Sequence, residues 1–194
     1  MNLAGKSVNE VAGLVSEQLR AHGIRVVVVG GGAITAHVPT VYSSDDVDLA
    51  VPKGVNHRAI AAALAEIGFV RSGRNYANKT TRYPIDIVAD VPYVDQRPIT
   101  AYQRIDTEMG SFDTLRLEDA VADRIAAFLY WDDSASLDVA ERAIAGAADP
   151  PSWEVLRATL LQLESGPGEI GKRFDLALER LWAIYHPHDV EDPT

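Results

Sequence analysis

Three aspartates and a run of glycines are the residues of this chain best suited to chemistry. Asp46 and Asp48 stand two apart in Ser44-Asp45-Asp46-Val47-Asp48-Leu49-Ala50-Val51. On a strand, that spacing puts both carboxylates on one face and turns Val47, Leu49 and Val51 to the other. Neighbouring carboxylates repel and strands disfavour aspartate, so the pair calls for an offsetting charge. A hard divalent cation supplies one, because Mg²⁺ commonly takes one or two carboxylates together with substrate phosphates. Taken alone, an Asp-x-Asp pair is more often a solvated acidic face. Asp86, in Ile85-Asp86-Ile87-Val88, shows the same parity. A third carboxylate beside the first two could complete a two-metal site and help deprotonate an attacking hydroxyl.

Gly30-Gly31-Gly32 follows the apolar run Ile24 to Val29 and precedes Ala33 to His37, a segment able to start a helix. Glycines at such a junction let a phosphate approach the backbone, where the free N–H groups of a helix start favour an anion. They also serve as plain strand-to-helix turns, the commoner case for glycines taken alone. The stretch Gly30-Gly31-Gly32-Ala33-Ile34-Thr35 lacks the last glycine of a dinucleotide fingerprint, and no Walker lysine follows. Ser44 either donates to a phosphate or stabilises the turn before Asp46.

In combination the three features carry more weight: a phosphate cradle, a metal pair and a base occur in one order along the chain. In-line transfer of phosphorus between oxygens needs little beyond positioning and charge neutralisation. Here the sequence resembles the nucleotidyltransferase superfamily, whose pattern stands as Val29-Gly30-Gly31, Asp46-Val47-Asp48 and Asp86. Within it the chain looks most like minimal bacterial enzymes grouped with AbiEii- and MenT-type toxins. The segment that carries this finer likeness is Leu115 to Asp133, a leucine-plus-acid entry into a helix bearing Arg124. The resemblance implies that Gly30, Gly31, Ser44 and Arg124 bind the nucleotide. It implies that Asp46, Asp48 and Asp86 hold Mg²⁺ or Mn²⁺ and perform the catalysis, with Asp132 or Asp133 as a later acid. It further implies NTP as substrate, tRNA as acceptor and a cognate antitoxin as partner. Related toxins often carry lysine where Arg124 stands; arginine still grips phosphate but cannot change protonation state. Read without the resemblance, Asp123-Arg124 is equally well a surface ion pair.

The elements that must position these residues follow from periodicity. Val8 to Leu19 has apolar residues at helical spacing, closed by His22-Gly23. Ile24 to Val29 reads as a strand buried on both faces. Asp46 to Val51 is a second strand, Asn56 to Ile67 a helix, and Phe69 to Val88 two or three strands. Thr100 to Leu117 is a hairpin turning near Met109-Gly110. Beyond it, helices are expected over Glu118 to Trp131, Ser136 to Ala145, Ser152 to Leu163 and Glu169 to Tyr185. The fold class is therefore α/β (α+β): a nucleotidyltransferase-like mixed sheet over residues 1–116, then a C-terminal helical bundle over 117–194. The bundle is expected to wall one side of the nucleotide cleft.

The chain has 194 residues, no cysteine and a formal charge of -10 at pH 7. Disulfides and thiolate metal sites are excluded. The N-terminus lacks a basic head and apolar run, and no stretch is long enough to cross a bilayer, so a cytoplasmic protein without a membrane partner is expected. The acidity weighs against binding nucleic acid by charge alone. The basic cluster is Arg71, Arg74, Lys79 and Arg82, beside Asn75-Tyr76 and Tyr83; a solvated hairpin is the simpler reading and a nucleotide or RNA grip the sharper one. His186-Pro187-His188 is an incidental pair at a polar end, and the Arg180 to His186 spacing carries little. Two other functions stay open: a transferase that modifies an antibiotic or a protein, and a non-catalytic nucleotide-binding partner protein.

Overall fold

Ser7 opens the first helix, α1 (Val8–Ala21). Its hydroxyl accepts from the Glu10 N–H at 3.3 Å, while the Glu10 carboxylate accepts from the Ser7 N–H at 2.8 Å, a reciprocal capping box. Lys6 donates to the other Glu10 oxygen at 2.7 Å. The Lys6 bond first, and the Ser7 N–H next, pull the Glu10 carboxyl down to about 2 from an ordinary 4.5. Because folding lowers this pKa, the stability it contributes is complete above pH 4.5 and drains away as pH falls toward 2. Glu10→Gln is expected to lower stability by about 1 kcal/mol at pH 7. In urea titrations the gap between the two proteins should close near pH 2.

The computed structural model describes residues 1–89, 92–163 and 166–187. After α1 come β1 (Val27–Val29), α2 (Gly30–His37), β2 (Val47–Ala50), α3 (His57–Glu66), β3 (Val70–Ser72), β4 (Asn75–Ala77) and β5 (Ile85–Ala89). A small hairpin, β6 (Tyr93–Val94) and β7 (Arg97–Pro98), precedes β8 (Tyr102–Thr107) and β9 (Gly110–Leu115). Then follow α4 (Leu117–Trp131), α5 (Ser134–Gly146), α6 (Trp153–Leu160) and α7 (Glu169–Tyr185). Residues 1–93 with 98–116 form one compact unit; residues 94–97 with those from 117 onward form the other.

In the first unit, seven strands make one mixed sheet in the order β3-β4-β5-β2-β1-β9-β8. β2 runs parallel to β5 and antiparallel to β1, which is parallel to β9. Val28, Val47, Leu49 and Ile85 lie on the face that buries the core with α1 and α3 residues such as Val15, Leu19, Ile60 and Leu64. Each fully buried side chain of this kind contributes about 1.5–3 kcal/mol. β1 is shorter than the apolar run around it and is buried on one face: Val26 and Val28 are covered, while Val27 and Val29 are half-buried.

In the second unit two helix starts carry side-chain caps. Asp133 accepts from the Ser136 N–H ahead of α5, and Ser152 from the Val155 N–H ahead of α6. Arg97, on β7, donates to the nearly buried Asp119 of α4 at 2.6 Å. The Arg180 guanidinium lies on Glu141 and Asp138, tying α7 to α5. No helix among the described residues is long and apolar enough to cross a membrane.

Candidate active site

The register of the central strands decides where the acids go. Asp48 of β2 is the direct partner of Asp86 of β5, and across β1 the same Asp48 faces Val29. In a parallel pair, register partners point to the same face. Val47 and Ile85, one residue earlier on each strand, are wholly buried on the opposite face. The two carboxylates are thereby held side by side, half-buried, at the strand end where β1 turns into α2. Asp46 precedes β2 with the parity of Asp48, and its carboxylate accepts from the Ser44 hydroxyl at 2.9 Å.

No loop separates β1 from α2: Gly30 is both the end of the strand run and the first helical residue, with a left-handed φ of 60°. A Cβ on Gly30 would stand 2.5 Å from Asp48 Oδ2. A Cβ on Gly31 would stand 2.8 Å from Ser44 Oγ and 2.9 Å from Tyr42 Oη. Bare backbone is therefore required where the helix start approaches the acids. Thr35, buried on α2, donates its hydroxyl to Gly31 O at 3.1 Å and accepts from the Ser44 N–H at 2.9 Å. Through Ser44 this ties the glycine turn to Asp46. Thr35 and Tyr42 went unnoticed in the sequence; a threonine four residues after Gly31 was the one available hint, since its hydroxyl reaches back one helical turn.

Among the described residues, no three His, Asp or Glu side chains gather closely enough to hold a metal ion by themselves. Asp46, Asp48 and Asp86 are aligned in strand order without closing on one point. Two adjacent carboxylates and an unbranched backbone edge still suit Mg²⁺ or Mn²⁺ in chemical type, because such ions take oxygen ligands and share them with substrate phosphates.

The remaining expected residues fall in different places. Arg124, on α4, donates to its neighbour Asp123 at 2.5 Å, the ion pair that its sequence position allowed. Asp133 caps α5, and Asp132 takes a left-handed φ of 57° and pairs with Arg173 at 3.1 Å. The His186 ring stacks on Trp182 with 4.4 Å between centroids, and His188 lies outside the described residues. In the basic segment, Arg82 lies over the Tyr83 ring at 4.9 Å. Arg71 and Arg74, with His57 of α3, line a pocket of about 390 Å³ that Asp86 also lines. Arg71, Arg74 and His57 are themselves exposed, and His57 had no sequence signal.

No family model matches the chain, and neither does any curated protein. Among solved structures it is similar to the crystal structure of an antigenic nucleotidyltransferase-like protein from Paracoccidioides brasiliensis. The two share 17% identity at a TM-score of 0.56, over 96% of this chain and 100% of that one. The fold is nucleotidyltransferase-like. Looser likenesses are to ANT(2″)-Ia in complex with adenylyl-2″-tobramycin, and to the solution structure of that antibiotic-resistance factor. The first has a TM-score of 0.45 and 12% identity over 76% of this chain and 91% of that one. The second has a TM-score of 0.41 and 15% identity over 93% and 96%. In this nucleotidyltransferase-like fold, the glycine turn and the two register-paired acids occupy adjoining ends of three neighbouring strands.

Proposed function

We propose that the protein is a metal-dependent enzyme that transfers a nucleoside monophosphate from an NTP to an acceptor hydroxyl. The observation that carries the reading is the Asp48–Asp86 register pair beside the bare backbone of Gly30 and Gly31. Like charges placed side by side are tolerated where a ligand uses them, and the cradle next to them fits an anion.

In the reaction, the acceptor oxygen attacks the α-phosphorus and the bond to the bridging oxygen breaks. Pyrophosphate leaves with that electron pair, and the hydroxyl proton passes to a carboxylate or to water. Gly30 and Gly31 hold the phosphates through backbone N–H groups, with Ser44 donating at the turn. Asp46 and Asp48 would hold Mg²⁺ or Mn²⁺ together with Asp86, which would also orient the acceptor hydroxyl. The ion would neutralise phosphate charge as it develops. Arg124 would exchange Asp123 for a phosphate, a role that rests on the sequence resemblance alone.

The same resemblance supports tRNA as acceptor and a cognate antitoxin as partner. Incubation with each labelled NTP and separate pools of tRNA, protein and aminoglycoside tests the reading. Mg²⁺-dependent label on one pool is expected. Label on protein or aminoglycoside, never on tRNA, would sink the toxin reading; no label on any pool, with NTP intact, would sink transfer itself.

A further inference from the structure

We infer that the acceptor carries a phosphate, and that His57, Arg71 and Arg74 bind it beside Asp86. The inference rests on the proposed transfer, since it is Asp86 that makes the pocket an acceptor site.

The charge distribution along the chain is the first argument. From Lys53 to Arg82 there are six lysines and arginines against a single acid, Glu66, in a protein with a net charge of -10. The second is pairing. Some arginines elsewhere are paired with carboxylates: Arg20 with Glu17, Arg97 with Asp119, Arg104 with Asp113 and Arg173 with Asp132. Arg71 donates only to the Gly73 carbonyl, at 3.3 Å, and Arg74 forms no ion pair among the described residues. The third is place. Arg71 and Arg74 line an open pocket of about 390 Å³ with His57, Tyr76 and Asp86, at the edge of β5 beyond its pairing with β4. A volume of that order admits a sugar phosphate or one nucleotide.

Guanidinium groups recognise phosphate by paired N–H donors, whereas a polycationic acceptor meets two like charges there. An aminoglycoside is therefore a poor occupant, and a hydroxyl flanked by a phosphate is a good one. An RNA 3′ end and a phosphorylated small molecule share that chemistry.

Calorimetric titration of the full chain and of its Arg71→Gln/Arg74→Gln variant distinguishes them. The probes are a single-stranded RNA hexamer with a free 3′ hydroxyl, glucose 6-phosphate and tobramycin. At least one phosphate probe should bind the wild-type protein and weaken about tenfold or more in the variant. Binding of the hexamer alone assigns a nucleic-acid end; binding of glucose 6-phosphate alone assigns a small acceptor. The inference is overturned if neither phosphate probe binds, if both proteins bind them equally, or if tobramycin binds best. Mg²⁺ with each of the four NTPs, titrated in parallel, reports on the nucleotide side separately. Failure there with arginine-dependent phosphate binding intact would remove the transfer reading and leave an anion pocket.

Discussion

Asp86→Asn should lower the rate of nucleotidyl transfer by about 10³-fold or more while leaving the protein as stable as before, or more so. The loss follows from two jobs given to one carboxylate: sharing the cation and orienting the attacking hydroxyl. Lewis-acid stabilisation amounts to several kcal/mol, and each 1.4 kcal/mol is about tenfold in rate. The gain in stability follows from the register. Asp86 and Asp48 are direct partners across adjacent parallel strands, which lie about 4.8 Å apart. Two like charges at that spacing cost about 1 kcal/mol in water-like surroundings. Asparagine keeps the shape and removes the charge. A thermal midpoint that holds or rises while transfer disappears would mark Asp86 as functional; a falling midpoint with transfer retained would mark it as structural. Steady-state kinetics and thermal melts of the same preparation give both numbers.

Gly30→Ala should cost about 100-fold in transfer with a modest loss of stability. The backbone there is left-handed, which costs an alanine about 1–2 kcal/mol. The new methyl would also stand 2.5 Å from Asp48 Oδ2, so that carboxylate must move. A misplacement of about 1 Å at a reacting centre is enough for a 100-fold loss. Gly5→Ala separates the two effects, because Gly5 has a φ of 78° and a Cβ there would meet nothing within 4 Å. Both variants should lose similar stability; only Gly30→Ala should lose transfer. Equal activity of the two would remove Gly30 from the site.

The parts of this arrangement that follow from local spacing were legible in the sequence. The parity that sends Asp46, Asp48 and Asp86 away from Val47, Leu49 and Ile85 is a period-two pattern, and it is visible in a few residues. The four helices after Leu115 announce themselves through helical spacing and through breaks at Pro150-Pro151 and Gly166-Pro167-Gly168. What joins strands distant in the chain was not legible. Nothing local says that β5 pairs with β2 in the register that opposes Asp86 to Asp48, or that His57 and the Arg71–Arg74 turn share a pocket with Asp86. The β6–β7 hairpin escaped notice because its strands are two residues each, with Pro92 and Pro98 flanking a turn at Asp95, whose φ is 55°. Arg124 shows the opposite limit. Its neighbour Asp123 was a sufficient partner, and the two side chains are joined.

The account depends on a cation shared between carboxylates of two separate strands. The most direct measurement is a crystal of the protein with Mn²⁺ and a non-hydrolysable NTP, using the anomalous signal of manganese to place the ion. A peak within ligand distance of Asp48 and Asp86, with triphosphate oxygens against the Gly30-Gly31 backbone, is the predicted result. A peak elsewhere, or a nucleotide held away from β2 and β5, would contradict it.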